Sequence, residues 1–182
     1  MTHATHKAMP GGFCLSRRQL LVFGGASVSV IAAFGTDGLI AKEGVQLVGS
    51  KYKPKRIAKL ADIESKKPLE FTYPTPDVTN VLIKLNEIAG GGVGKDKDIV
   101  AFNTVCPHMG GPVGVESYKP QHNVLGPCPL HLSTFDLTKH GMIVAGHATE
   151  SLPQITLEVR KDEIWAVGVM GLVYGHAVNP LG

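Results

Sequence analysis

Cys106-Pro107-His108 and Cys128-Pro129-Leu130-His131, with nineteen residues between His108 and Cys128, decide how this chain is read. Two thiolates and two imidazoles are the ligand set of an asymmetric two-iron, two-sulfide centre, in which one iron takes both Cys and the other both His. The same four groups can also hold a single tetrahedral zinc. Their order separates the two. Zinc fingers usually present Cys with Cys and His with His, whereas here each short loop offers one of each and so sends a ligand to both irons. The residues around them suit loops that approach an inorganic cluster closely. Gly110, Gly111 and Pro112 follow the first pair, and Gly126, Pro127 and Pro129 surround the second. Glycine permits close backbone approach, and proline stiffens turns.

The 182 residues have room for one domain of about 100 to 150 residues and an appendage. A hydrophobic share of 43% with 22 Gly and 12 Pro points to short, interrupted strands rather than to a helical protein. Of three cysteines, Cys14 lies near the N-terminus, so Cys106 and Cys128 are the only thiols of the body and leave none for a structural disulfide. The net charge of +3 comes largely from the first 41 residues, through Lys7, Arg17 and Arg18 against Asp37. In a body so near neutrality nothing argues for nucleic acid, and no nucleic-acid partner is expected. The cluster Lys51, Lys53, Lys55, Arg56 and Lys59 reads as a solvated face, with a partner subunit or anionic headgroups as the alternative.

Ser16-Arg17-Arg18-Gln19-Leu20-Leu21, ahead of the apolar run Leu20 to Phe34, is a twin-arginine pattern. That route exports folded cargo, which suits a cluster inserted before export. Residues 1–41 are therefore expected to be a leader and residues 42–182 the metal domain, periplasmic when mature. The apolar run is short for a span, which needs about 20 apolar residues. An uncleaved N-terminal anchor is the alternative.

Beyond Val45 the chain is a series of short extended segments: Gln46 to Val48, Leu69 to Tyr73, Val78 to Leu85, Ile99 to Asn103, Ile155 to Val159 and Ile164 to Val169. The last two, separated by Lys161-Asp162-Glu163, form a hairpin. No long amphipathic helical period and no repeat occurs after the leader. An all-β antiparallel sandwich or barrel follows, with a cluster-binding subdomain, about residues 104–150, inserted between the strand ending near Asn103 and the one starting near Pro153. Gly90-Gly91-Gly92-Val93-Gly94 lacks the Lys-Ser or Lys-Thr of a phosphate loop and reads as a flexible surface loop.

Further stretches carry a resemblance: Phe71-Thr72-Tyr73-Pro74, Asp98-Ile99-Val100-Ala101, His108-Met109-Gly110, Phe135-Asp136, Ala148-Thr149-Glu150, Leu152-Pro153, Ala166-Val167-Gly168-Val169 and Gly171-Leu172-Val173-Tyr174-Gly175. From about residue 55 to 180 the chain resembles the Rieske small subunits of arsenite oxidase and of iodate reductase. The resemblance implies one Rieske 2Fe-2S cluster in the Rieske iron-sulfur fold, bound to a large molybdopterin-containing catalytic subunit. It implies a subunit that catalyses nothing itself and relays single electrons between that subunit and a periplasmic c-type cytochrome or similar carrier. Cys106 and Cys128 would hold the inner iron, His108 and His131 the outer one.

Three positions depart from the Rieske proteins of bc complexes. Gly111 and Leu130 stand where those proteins have a disulfide clipping the two loops, and Phe135 stands in place of a tyrosine four residues after the second His. Ser133, two residues after that His, keeps the place of a hydrogen-bond donor to the cluster. Donors to sulfur stabilise the reduced state, so one donor instead of two implies a potential within the range of roughly −150 to +300 mV but below that of the bc proteins. The stretch between the ligand pairs is longer than arsenite oxidases have, which sets the two molybdoenzyme relatives level. His147, in Gly146-His147-Ala148-Thr149, is expected in a third loop near the cluster, either gating electron exchange or merely exposed.

Three other classes fit less well. A Rieske oxygenase needs a second iron site of two His and a carboxylate, and a body of about 140 residues has no domain for it. A bc-type quinol-oxidising subunit would normally have the clip, the tyrosine and a full anchor. A structural zinc-binding protein would be colourless and redox-silent.

Overall fold

The computed structural model describes residues 52–182. The twin-arginine leader, Cys14, the strand expected at Gln46 to Val48 and Lys51 lie outside the described residues. Apart from three single-turn 3-10 helices, the regular elements of the described residues are all strands. The strands are β1 (Lys55–Lys59), β2 (Leu69–Thr72), β3 (Thr79–Lys84), β4 (Ile99–Asn103), β5 (Tyr118–Lys119), β6 (Val124–Leu125), β7 (Thr134–Asp136), β8 (Met142–Ala145), β9 (Gln154–Arg160) and β10 (Glu163–Met170). They form a six-stranded antiparallel sheet in the order β1-β10-β9-β4-β3-β2 and a four-stranded sheet β5-β6-β7-β8.

The larger sheet is a nearly closed barrel. Its two edges are bridged by one side chain: Lys55 Nζ on β1 donates to Thr72 O and Oγ1 on β2, at 2.7 and 3.0 Å. β3 and β4 are buried along almost their whole length because both faces of the sheet are covered. Alternate residues serve two cores. Val81, Ile83, Val100 and Phe102 pack toward Leu125, Phe135, Leu137, Cys106 and Cys128. Leu82, Ile99 and Ala101 pack with Tyr73, Ile155, Leu157, Ile164 and Ala166 inside the barrel. The period of two in strand side chains thus ties the metal subdomain to the barrel through one shared wall.

The expected strands over 69–73, 78–85, 99–103, 155–159 and 164–169 are present within a residue or two of their limits, and Lys161-Asp162 turns the β9–β10 hairpin with Lys161 at φ 57. β1 is where a solvated basic cluster was expected. Lys55, Arg56 and Lys59 do face water, but their backbone pairs with β10, and Arg56 meets Glu163 at 3.0 Å. Charged side chains on an edge strand discourage pairing with another chain. The glycine run, expected to be a flexible loop, is instead tied down on three sides. Gly90 N donates to Thr138 O at 2.9 Å, Gly90 O accepts from Gln154 Nε2 at 2.8 Å, and Val93 N donates to Ile99 O at 2.9 Å.

Candidate metal centre

β4 ends in a buried polar node that aims the chain into the first metal loop. Asn103 Nδ2 donates to Thr79 O at 2.9 Å, and its Oδ1 accepts from Val105 N at 3.0 Å. Unpaired, these buried amide groups would cost about 1–3 kcal/mol each, so the turn toward Cys106 is held firmly. An antiparallel bridge between Val105 and Pro112 then closes the base of the first loop. The second loop, from Cys128, links β6 to β7, and a third, from Gly146, links β8 to β9.

The first two loops share one backbone design. Cys106 N donates to Gly111 O and Cys128 N to Ser133 O, both at 2.8 Å. Gly110 N donates to Cys106 O and Leu132 N to Cys128 O, both at 2.9 Å. Gly110 and Leu132 occupy the same left-handed place, at φ 73 and 61. Each loop therefore presents its Cys at the same place in a matched backbone, with His108 two residues after Cys106 and His131 three residues after Cys128.

Both thiols are free and buried, at 1% and 2% exposure, while His108 and His131 are partly open to solvent. The two imidazoles lie with ring centroids 4.7 Å apart at an interplanar angle of 79°. His131 Nδ1 is buried without a hydrogen-bond partner, a nitrogen left free for a ligand bond. Burial pushes the Cys106 thiol up. The His108 amide donating to its sulfur works against this, the neighbouring Cys128 sulfur adds to it, and the Ser133 hydroxyl lowers it. The thiols pair inside and the imidazoles pair outside, an arrangement that fits a cluster with two ligands per iron.

Ser133 is fully buried. Its Oγ accepts from Ala148 N at 3.0 Å and from His147 N at 3.2 Å, and its hydroxyl is near enough to the Cys106 thiol to lower its pKa. This docks the third loop onto the second. Gly146 makes the approach possible, since a Cβ there would lie 2.3 Å from Ser133 Cα. His147 consequently stands beside the two imidazoles, with ring centroids 6.1 Å from His108 and 5.9 Å from His131. Its place in the third loop was expected; its exposure shows that it is also open to solvent. Phe135 is buried in the core that holds both thiols. Met109, Leu130 and Leu132 are exposed around the histidines, an apolar rim that single-residue reading did not single out.

Residues 54–156 match the family described as Rieske [2Fe-2S] domain. The soluble domain of Rieske protein II from Sulfolobus acidocaldarius has the same fold, with a TM-score of 0.61 at 21% identity over 81% of this chain and 88% of that one. The chain therefore belongs to the Rieske family and carries one Rieske 2Fe-2S cluster. Within the family it falls with subunits called IdrB. It is 55% identical to the iodate reductase subunit IdrB of Pseudomonas sp. (strain SCT), over 89% of this chain and 83% of that protein. It is 54% identical to the same subunit of Denitromonas iodatirespirans, over 93% and 89%. It is a Rieske electron-transfer subunit.

Proposed function

We propose that this chain is the small subunit of a periplasmic iodate reductase, passing single electrons from a c-type cytochrome or similar carrier to a large molybdopterin-containing subunit. The observation that carries the reading is the convergence of two buried thiols and two solvent-side imidazoles from matched loops, in a chain more than half identical to two iodate reductase subunits. Cys106 and Cys128 would hold the inner iron and His108 and His131 the outer one. When bound, the cluster takes up and gives back one electron at a time.

The chain's own residues set the conditions for this. Buried thiols keep the inner half in a low-dielectric core, and the His108 amide and Ser133 hydroxyl offer donors to sulfur that favour the reduced state. The partly exposed imidazoles leave a short path to a partner. Met109, Leu130 and Leu132 form an apolar rim that a partner surface can cover, keeping water from the path. Export rests on Arg17-Arg18 and the apolar run behind them, and the domain is read as 42–182 after a leader of 1–41.

The purified chain should contain two irons and two acid-labile sulfides, as a [2Fe-2S] centre requires. One zinc and no labile sulfide would end the reading. His108→Ser or His131→Ser should abolish the reduced-state signal in electron paramagnetic resonance. Co-purification with the large subunit, followed by assays of iodate reduction and arsenite oxidation, decides the substrate. Activity toward arsenite alone would replace iodate in the proposal. Replacing Arg17 and Arg18 by Lys should keep the chain in the cytoplasm; unchanged export would remove the twin-arginine assignment.

A further inference from the structure

The two metal loops are alike in backbone and unlike in support. The second is held from outside by the third loop, through Ser133 Oγ and the amides of His147 and Ala148. Among the described residues, no side-chain hydrogen bond from another segment reaches the backbone of the first loop between Pro107 and Pro112, and Gly111 and Leu130 provide no covalent link between the loops. Something else touches the first loop. A Cβ on Gly110 would lie 2.6 Å from Tyr174 Cε1 and 2.9 Å from Cδ1, so this edge of the Tyr174 ring lies directly against Gly110.

Comparison with the second loop shows what this contact demands. Leu132 holds the place equivalent to Gly110 at φ 61, so left-handed backbone alone does not require glycine there. At Gly110 the ring occupies the space a side chain would need.

The segment that brings the ring is itself built. After β10, Gly171 turns the chain at φ 92 and Val173 is buried, at 3% exposure. Asn179 clasps the turn, its Oδ1 accepting from Val173 N at 2.8 Å and its Nδ2 donating to Gly171 O at 2.7 Å. Pro107 of the first loop and Val173 and Tyr174 of the segment share the wall of a cavity of about 630 Å³.

We propose that the C-terminal segment Gly171–Asn179 is a strap that holds the first metal loop, with Tyr174 as the positioning residue for Cys106 and His108 in place of a disulfide clip. It rests on the reading that these two residues ligate the cluster. The ring shields the Gly110 amide and its bond to Cys106 O, and limits the opening by which the thiolate and imidazole would leave the iron together.

The test uses the full-length chain loaded with cluster, following visible absorption during challenge with an iron chelator. Tyr174→Ala should lose its cluster about tenfold faster than wild type, the scale set by freeing one half-buried aromatic contact. Tyr174→Phe, which keeps the ring, should match wild type. Asn179→Ala, which opens the clasp and leaves the ring, should fall between them. The reduced-state resonance should broaden in Tyr174→Ala, because His108 is no longer held in one orientation, and the Gly110 amide should exchange faster with deuterium. Gly110→Ala should be far less harmful in the Tyr174→Ala background than in wild type, since the clash is then gone. Unchanged cluster lifetime and unchanged Gly110 exchange in both Tyr174→Ala and Asn179→Ala would overturn the strap. A wild-type chain without iron or labile sulfide would instead overturn the ligand assignment beneath it.

Discussion

Ser133 Oγ accepts the amide of Ala148 at 3.0 Å, and through this bond the second metal loop carries the third. The same oxygen accepts from His147 N, and its hydroxyl lowers the pKa of the nearby Cys106 thiol. Two effects are expected of its removal. Ser133→Ala should lower the midpoint potential, because it removes a donor that favours reduction. It should also destabilise the chain by about 1–3 kcal/mol, because the buried Ala148 amide and the part-buried His147 amide lose their acceptor. Protein-film voltammetry and urea melts on one preparation check both. An unchanged potential with lowered stability would show that the hydroxyl's proton does not act on the cluster.

Phe135 is fully buried among the residues around the two thiols. Phe135→Tyr adds a hydroxyl that must either find a partner or be buried without one. The expected outcome is a raised midpoint potential with stability within about 1 kcal/mol of wild type, as a new hydrogen bond to sulfur would give. A fall in stability with no change in potential would mean that the hydroxyl points away from the cluster.

The place of the missing clip is preserved in the packing. A Cβ on Gly111 would lie 3.1 Å from Leu130 Cγ, where a cysteine sulfur at position 130 would sit. The same Cβ would lie 2.5 Å from Cys128 Sγ, so that sulfur must move by about 1 Å to reach ordinary contact, a χ1 rotation of roughly 30° or a compensating backbone shift. Gly111→Cys with Leu130→Cys should therefore oxidise to a cross-link, detected as the loss of two thiols by mass spectrometry, and should slow cluster loss. A cross-linked variant that binds no iron would show that Cys128 has no room to move.

Two buried tyrosines give opposite expectations. Tyr73 has no partner for its hydroxyl, whereas Tyr118 donates to Asn123 Oδ1 at 3.2 Å. Tyr73→Phe should leave stability unchanged or raise it, and Tyr118→Phe should cost about 1 kcal/mol. Burial pushes both phenols up to about 12, with nearby Tyr52 adding to the effect at Tyr73. The unfolded chain then gives up these protons first, from pH 10.0. Stability should be full below that value and fall as pH rises toward about 12, less steeply in Tyr73→Phe. A flat alkaline profile in wild type would contradict the burial of both groups.

Much of the barrel was legible in the linear chain because β3, β4, β9 and β10 are long enough to show alternation or continuous apolar character. β5 to β8 were not, since strands of two to four residues show no period, and unlike β2, whose Phe71-Thr72 runs on into Tyr73, they lie among the turn residues of the metal loops. β1 was hidden for another reason. Its Lys-Arg-Ile-Ala-Lys composition describes a solvated surface, and only pairing with β10 makes that surface a strand.

The candidate site divides in the same way. The expectation at Cys106, His108, Cys128 and His131 rests on spacing, because ligand chemistry restricts both the residue types and their order. That at Ser133 rests on resemblance. The sequence by itself thus determined the cofactor, the all-β class and the place of the inserted loops. Tertiary structure decided what presses on those loops: the pairing of the two imidazoles, His147 beside them, the two amides on Ser133 and the Tyr174 ring against Gly110. Residue types name ligands because metal bonding is selective at single atoms. Contacts between residues 64 positions apart depend on how the chain closes on itself, which no local pattern records.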